Sequence, residues 1–544
     1  MKKSIIRLWI VCVFIGVMSS IYAKDAKPIA QFSFIKTAYQ ENEPIEVKDE
    51  SYSLDGTKIM KREWRCTIKG NEKTSSSLTK LLSGIKVGQY EVFLRVKDDK
   101  GNYSDWTKQV LKVIPVETFK ITSFKSEQAT YAIGEKLQLT YTYTNPNDLQ
   151  IKSQRWRYRN LTTNGQMLST KPRYFKKAGV YEVSLELQDE WGNWSNKVTC
   201  KVNVSSQVIE RNGYYLFEKG KPGDLIENYI DKDYNTLNEA NVLEIQDIPG
   251  TLIMSNSPES VPSSGILYQD TVLGKGRLIL HHGNQTGRNK KLMIVVSTPE
   301  EQSVTLKINN EAIKGPSKHV LQTGQNAIIA YLKGGQTKTY TIKPGSVISI
   351  YDSSLVGIWR QGELISGTLD FESTGKVTIK VVTMDESSGM NQIGALQVLA
   401  RDQHDRGTFN VIERQYILDL KDITEPVKLV LGKQKTEWLQ GIDALTGEVA
   451  YDRGNYGLPI RVTIKNNEDI GIIANARGGG ILGAIKWNKQ SIVKLPNEEI
   501  LDSHAIAALV GTVKANTTNE ILYMLPNGSS APILFGFIPK SQWK

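Results

Sequence analysis

The clearest pattern in the chain is an alternation of apolar and polar residues that occurs twice. Residues 90–98 read Tyr-Glu-Val-Phe-Leu-Arg-Val-Lys-Asp, and residues 181–189 read Tyr-Glu-Val-Ser-Leu-Glu-Leu-Gln-Asp. A period of two predicts a strand with one buried and one solvated face. Each strand ends in Asp-x-x-Gly-Asn, a turn signal, because Gly and Asn tolerate positive φ and Asp caps the turn.

An earlier block of sequence also occurs twice, and the distance between its two copies is one residue longer. The matched pairs are Tyr39 with Tyr131, Glu43 with Glu135, and Trp64 with Trp156. A tryptophan facing a Tyr-x-Val-x-Leu strand is typical of the centre of a two-sheet sandwich. The sequence therefore predicts two tandem β-domains, at residues 24–116 and 117–205.

The two copies resemble immunoglobulin-like domains of the PKD type. The late-strand pattern of that family, Tyr-x-Val-x-Leu-x-Val-x-Asp-x-x-Gly, is met at residues 90–101, and at 181–192 with Leu187 in the last apolar place. The family's usual Trp-x-Phe-Gly-Asp-Gly segment is replaced by other sequences around Trp64 and Trp156, so the copies are called PKD-like. The resemblance implies an extracellular spacer or binding module that accompanies a catalytic or adhesive partner.

Residues after 205 contain short apolar runs about ten residues apart, separated by Gly, Pro and Asn. This spacing predicts a β-sandwich of jelly-roll type at 206–385 and a further β-rich domain at 386–544. Predicted strands include 327–332 and 394–400, and the one predicted helix is 502–509. The predicted fold class is all-β and multidomain. This half resembles exported proteins of uncharacterised role in spore-forming Gram-positive bacteria.

The first residues have the layout of a secretory signal peptide. Basic residues at positions 2, 3 and 7 precede an apolar run from Leu8 to Met18, and small residues lead to Ala23. We expect cleavage there, and no later apolar run is long enough for an anchor. The mature protein is therefore expected to be secreted or associated with the cell surface. It keeps Cys66 and Cys200, whose positions in the two copies do not correspond.

Charge is distributed unevenly along the chain, whose formal net charge is +11. Residues 24–205 carry 30 basic and 21 acidic side chains, a net of +9, whereas residues 206–544 carry 35 and 36, a net of −1. Outside a cell this imbalance favours anionic partners such as cell-wall glycopolymers or acidic polysaccharides. Another surface protein is an alternative partner, and nucleic acid is not expected as a physiological one.

The strongest candidate for binding is a stripe of arginines in the second copy. Alternation places Arg155, Arg157 and Arg159 on one strand face, about 7 Å apart, within a segment, 149–181, that lacks Asp and Glu and also contains Arg173. Forked guanidinium donors match phosphate, sulfate or carboxylate groups of an extended polymer. The alternative is a solvated strand face without a ligand.

Loop residues offer two further candidates. Trp191 and Trp194 flank the second Gly-Asn turn, where aromatic faces either stack on sugar rings or cover the end of their own core. In the first copy, four oxygen-bearing residues form a candidate calcium site, for which turn chemistry without a metal is the alternative explanation: Asp98, Asp99, Asn102 and Asp105. No other cofactor is expected.

Catalytic motifs are absent from the sequence: neither H-E-x-x-H nor G-x-S-x-G occurs. We expect structural roles at strand ends for His281-His282 and His404-Asp405, and a turn for the G-x-G-x-x-G match at 478–483. No residue is therefore assigned a catalytic role. The leading hypothesis is a non-enzymatic binding or scaffold protein. The alternative is a secreted hydrolase whose catalysis lies in residues 206–544, with the tandem copies as accessory modules.

Overall fold

The computed structural model describes residues 27–53, 55–68, 70–147, 149–210, 213–227 and 233–543. The predicted signal peptide, residues 1–23, lies outside the described residues. The chain divides into two compact units, of which the first ends at Glu210 and contains both repeat copies. Each unit is described by itself.

The first copy contains seven strands and one short helix. They are β1 (Phe32–Phe34), β2 (Tyr39–Gln40), β3 (Val47–Asp49), β4 (Ile59–Ile68), β5 (Asn71–Ser75), α1 (Leu78–Leu81), β6 (Gly88–Asp98) and β7 (Thr107–Ile114). One sheet has the order β2-β7-β6-β4-β5, and β1 pairs with β3 in a second sheet. The short β2 runs parallel to β7, whereas the other pairs are antiparallel.

The second copy repeats this plan with six strands. They are β8 (Lys120–Ser126), β9 (Thr130–Ile133), β10 (Leu139–Thr144), β11 (Ile151–Asn160), β12 (Gly179–Asp189) and β13 (Val198–Val208). The larger sheet has the order β11-β12-β13-β9, with β9 parallel to β13, and the smaller sheet pairs β10 with β8. Both copies are immunoglobulin-like β-sandwiches, as predicted; the narrower PKD assignment stays a prediction.

The repeated tryptophans occupy the centres of these sandwiches. Trp64 is buried and meets Phe32 of the facing sheet edge to face, with ring centroids 4.9 Å apart. Trp156 meets Phe124 in the same way at 5.7 Å. The core side of the alternating strands is buried as predicted, and Cys66 is buried there too. Cys200 is half-buried, and both cysteines are free thiols.

The second unit is also dominated by strands. It contains β14 (Leu225–Glu227), β15 (Asn238–Glu239), β16 (Val242–Ser255), β17 (Ser260–Val261), β18 (Gly265–Asn284), β19 (Lys290–Ser297), β20 (Val304–Ser317), β21 (Lys338–Ile342), β22 (Val347–Asp352), β23 (Leu364–Asp385), β24 (Arg406–Asp419), β25 (Val427–Leu431), β26 (Leu439–Ile442), β27 (Val449–Asp452), β28 (Ile460–Lys465), β29 (Ile470–Ala476), β30 (Gly483–Trp487), β31 (Ser491–Leu495), β32 (Ile506–Val513), β33 (Asn519–Tyr523) and β34 (Ile533–Pro539). Its α-helices are α2 (Gly213–Lys219) and α3 (Val320–Lys333). Short 3₁₀ turns lie at Tyr234–Thr236, Ser353–Leu355, Met390–Ala395, Lys435–Glu437 and Lys540–Gln542.

These strands build two sheets and two main cores. A large sheet follows the path β21-β20-β23-β18-β16-β24-β28-β33-β30-β31, and a six-stranded sheet has the order β14-β32-β29-β34-β25-β15. One core is formed by side chains of the large sheet's strands from β16 to β23. The other core is formed by side chains of its strands from β24 onward together with those of the six-stranded sheet. Since β16 pairs with both β18 and β24, one sheet crosses residue 385. The division into domains 206–385 and 386–544 stays a prediction.

Three local predictions in this unit are wrong. Residues 327–332 belong to α3, where Ile328 and Leu332 are buried one helical turn apart, so their apolar run has a helical rather than a strand period. Residues 394–400 contain the end of a 3₁₀ turn and no strand. Residues 506–509 of the predicted helix lie in β32, which pairs with β29. No helix among the described residues is long and apolar enough to cross a membrane.

Candidate binding face of the second repeat

The arginine stripe of β11 lies directly opposite β12, and the pairing register decides what each arginine faces. Arg155 faces Glu186, Arg157 faces Ser184, and Arg159 faces Glu182. Both glutamates lie just outside the acid-free segment 149–181, so the charges along that segment do not reveal them. The alternation of residues 181–189 does indicate the two glutamates, because the polar positions of that strand share the solvated face with the arginines.

Two of the three arginines are engaged in ion pairs. Arg155 Nη1 donates to Glu186 Oε2 at 3.4 Å, and Arg159 Nε donates to Glu182 Oε1 at 3.1 Å. Both arginine side chains remain more than one-third exposed, so water screens these pairs. An anionic ligand would have to compete with the carboxylates for these guanidinium groups.

Arg157 is the exception in this stripe. Among the residues that the structure describes, it has no ion-pair partner, and its cross-strand neighbour is Ser184, which in turn faces Thr199 on β13. The same register places Lys201 of β13 beside Glu182. The outward side chains of this sheet, which we call the Arg157 face, combine four cations with two carboxylates, for a net charge of +2: Arg155, Arg157, Arg159 and Lys201 with Glu182 and Glu186.

The loop aromatics have separate roles. The guanidinium carbon of Arg155 lies 3.8 Å from the ring centroid of Trp194, a cation–π contact. Trp191 packs against the core of its own sandwich. Arg173 lies outside the strands, where its carbonyl accepts a hydrogen bond from the Leu137 N–H at 2.8 Å. Of the two predicted tryptophans, the structure therefore brings Trp194 to the arginine stripe, whereas Trp191 packs against the core.

The first copy carries the same ion pair with its charges exchanged. There Glu63 faces Arg95 in register, and the two lie 2.7 Å apart. Tyr103, the counterpart of Trp194, covers Arg95 at 4.4 Å. In each copy the loop aromatic thus covers the arginine of the pair, whichever strand carries it.

The position equivalent to Arg157 differs between the copies. In the first copy Arg65 lies 4.5 Å from the ring centroids of both Phe93 and Trp106. In the second copy Ser184 and Lys197 occupy the corresponding sequence positions. Arg157 therefore lacks the aromatic partners of its counterpart, and it is half-buried.

Each of the calcium candidates has a hydrogen-bond or ion-pair partner within the first copy. Both carboxylate oxygens of Asp98 accept hydrogen bonds from Asn102, at 2.7 Å from its backbone N–H and 3.1 Å from its side chain. Asp99 accepts from the Lys58 N–H, and Asp105 lies 3.7 Å from Lys27. Within the described ranges, no three His, Cys, Asp or Glu side chains are grouped closely enough to hold a metal ion.

The histidine clusters lie in the second unit. His282 Nε2 is 2.9 Å from Ser255 Oγ and its Nδ1 is 2.8 Å from the Pro258 carbonyl, with Ser255 and His282 both fully buried. Burial lowers the pKa of His282 to about 4 and that of His281 to about 3, so both are neutral at pH 7. His404 is held between Asp402 and Glu259, at 3.0 and 3.1 Å.

Comparison with known proteins provides no family. No family model matches the chain, and no curated protein matches it. Among solved structures, the fibronectin(III)-like modules of Clostridium thermocellum CbhA align at 15% identity and a TM-score of 0.16, covering 33% of this chain and 97% of theirs. Carbohydrate-binding modules of the β-sandwich superfamily align at 12% identity and a TM-score of 0.14, covering 49% of this chain and 98% of theirs. A tetra-tandem repeat from the extending region of a large adhesion protein aligns at 9% and 0.17, covering 94% and 99%. At such TM-scores these likenesses support no inference about this chain.

Proposed function

We propose that this protein is an exported binding or scaffold protein and that its second immunoglobulin-like copy contacts an anionic polymer through the Arg157 face. The observation that carries the proposal is the unpaired Arg157, flanked by two arginines that are already held in place by glutamates. Ion pairs on either side restrict Arg155 and Arg159, so the stripe keeps its geometry without a ligand. Preorganised charges lose less conformational entropy when a polymer binds.

The charge balance supports a polyanion rather than a neutral glycan. The net charge of the Arg157 face remains +2 after both glutamates are counted, and hydroxyls of Ser184 and Thr199 lie in the same cross-strand row as Arg157. Spacing of about 7 Å between alternate side chains suits successive charged groups on an extended chain. Binding that depends on such exposed charges weakens as salt rises.

The test is retention of the full-length chain on dextran sulfate beads, with uncharged dextran beads as the reference, over a series of salt concentrations. Arg157→Gln is expected to reduce retention at least about fivefold, since a charge-assisted hydrogen bond contributes about 1.5–3 kcal/mol before screening. The matched control is Arg65→Gln, which removes the same charge at the equivalent position of the first copy. It is expected to change retention less than twofold.

Two results would contradict the proposal. Equal losses in Arg65→Gln and Arg157→Gln would mean that bulk charge, not this face, retains the chain. Retention that is insensitive to salt would exclude an ionic contact altogether.

The hydrolase alternative gains no support from the histidines. His281 and His282 are buried and uncharged, and His404 is held by two carboxylates. Ser255, the hydroxyl nearest to His282, is fully buried, so a substrate has no access to it in this conformation. The binding function is therefore the better supported of the two.

A further inference from the structure

The second unit contains a cleft whose lining residues come from separate segments of the sequence. It has a volume of about 490 Å³, within the range of about 300–1,000 Å³ that is usual for small-molecule sites. We call it the Trp438 cleft. Its lining includes two aromatic rings and four charged side chains: Trp438, Tyr451, Arg401, Lys435, Arg453 and Asp405.

A β-hairpin brings the two aromatic residues together. In the hairpin of β26 and β27, Gln440 faces Tyr451 and Leu439 faces Asp452, so Trp438 is extended next to the end of β27. The hairpin is tied to the start of β24 by a buried ion pair, in which Arg406 Nε donates to Asp443 Oδ2 at 2.8 Å. These contacts place the aromatic rings beside the segment that supplies Arg401 and Asp405.

The carboxylate of the cleft is held in a fixed orientation. Arg453 donates to Asp405 from Nη2 at 2.7 Å and from Nε at 2.9 Å, and its own backbone N–H adds a bond at 3.3 Å. A carboxylate fixed in this way can accept hydrogen bonds from neighbouring hydroxyl groups of one ligand. Burial raises the pKa of the neighbouring Asp452 well above the usual range, which favours its neutral form.

Two cations of the cleft remain without acidic partners. Arg401 and Lys435 are exposed, and within the part of the chain that the structure describes neither forms an ion pair. The Lys435 ammonium lies over the Tyr451 ring, 5.7 Å from its centroid, in a cation–π contact. Arg401, Lys435, Arg453 and Asp405 sum to a net charge of +2.

We infer that the Trp438 cleft binds an acidic saccharide, a sugar that bears a carboxylate. Aromatic faces pack against the apolar face of a sugar ring, Asp405 accepts from its hydroxyls, and Arg401 and Lys435 pair with its carboxylate. A bare polyanion makes no use of the rings and is repelled by Asp405. A neutral sugar makes no use of the two free cations. This inference rests on no residue of the Arg157 face.

Isothermal titration of the full-length chain tests this ligand class with three probes. Trigalacturonate is expected to bind, whereas maltotriose, which has rings without charge, and citrate, which has charge without rings, are expected to bind at least about tenfold more weakly. Equal binding of maltotriose would overturn the acidic requirement. Equal binding of citrate would reduce the cleft to an anion site, and no binding of trigalacturonate would overturn the inference.

Variants locate the binding. Trp438→Ala and the double variant Arg401→Gln/Lys435→Gln are each expected to weaken trigalacturonate binding at least about tenfold, whereas Trp438→Phe, which keeps a ring, is expected to lose less than about fivefold. The control, Lys307→Gln/Lys343→Gln, removes the same charge from exposed positions of the same unit and is expected to change binding less than twofold. If Arg157→Gln abolishes binding while the cleft variants do not, the ligand sits on the Arg157 face and the cleft inference is wrong.

Discussion

The exchanged ion pairs of the two copies lead to a quantitative prediction. Arg155→Glu in the second copy removes an exposed ion pair, about 0.2–1 kcal/mol, and the Trp194 cation–π contact, about 0.5–1 kcal/mol. It also places two glutamates directly opposite each other, which costs about another 0.2–1 kcal/mol. The single substitution is therefore expected to destabilise the β11–β12 pair by about 2 kcal/mol.

The reciprocal substitution should restore this loss. Arg155→Glu/Glu186→Arg gives β11 and β12 the charge order that Glu63 and Arg95 have in the first copy. In the first copy the loop aromatic, Tyr103, lies over Arg95 of β6. We expect Trp194 to do the same, so the double variant should lie within about 0.5 kcal/mol of the original chain.

Hydrogen exchange of the full-length chain measures this locally. Peptides from β11 and β12 of the single variant should exchange about tenfold to thirtyfold faster, since 1.4 kcal/mol corresponds to a factor of about ten. In the double variant the rates should return to within about threefold of the original. Peptides from β4 and β6 serve as the internal reference and should not change. Exchange as fast in the double variant as in the single one would refute the assigned cross-strand pairing and aromatic cover.

Two further predictions concern the second unit. His281 and His282 have low pKa values, about 3 and 4, in the folded protein. Between about pH 6.5 and 4 the unfolded chain therefore binds more protons than the folded one. The free energy of unfolding should fall as the pH falls through this window, by up to about 1.4 kcal/mol per pH unit for each histidine. The free energy of unfolding, measured with denaturant at pH 7, 6 and 5, should depend less on pH in His281→Asn/His282→Asn than in the original chain. An unchanged pH dependence would contradict the low pKa values of the two histidines. Gly478→Ala would place a Cβ only 1.6 Å from the Ala531 carbonyl oxygen and should cost about 1–3 kcal/mol of unfolding free energy, whereas Gly394→Ala, with open space around it, should cost less than about 0.5 kcal/mol. Equal effects of the two alanines in thermal unfolding would show that the turn at 478 tolerates a side chain.

Local patterns were sufficient for the repeat and its cores. Alternation in residues 90–98 and 181–189 determines which side chains can share a face, because successive residues of a strand point to opposite sides. Burial of the tryptophans follows, since Trp64 and Trp156 are the largest rings on the apolar side. The same reasoning failed at residues 327–332, because a short apolar run is compatible with either a strand or a helix until its packing is known.

Contacts between residues that are distant in the sequence could be identified only from the tertiary structure. Whether Arg155, Arg157 and Arg159 are paired depends on the register between β11 and β12, which lies in no single segment of sequence. The Trp438 cleft combines residues from the segments before β24 and before β26 with residues of β27 and the residue that follows it. By itself, the sequence determined the class of fold and the solvated faces through periodicity. Only strand pairing decided which charges on those faces form ion pairs and which have no ion-pair partner among the described residues, because electrostatic contacts depend on distance in space.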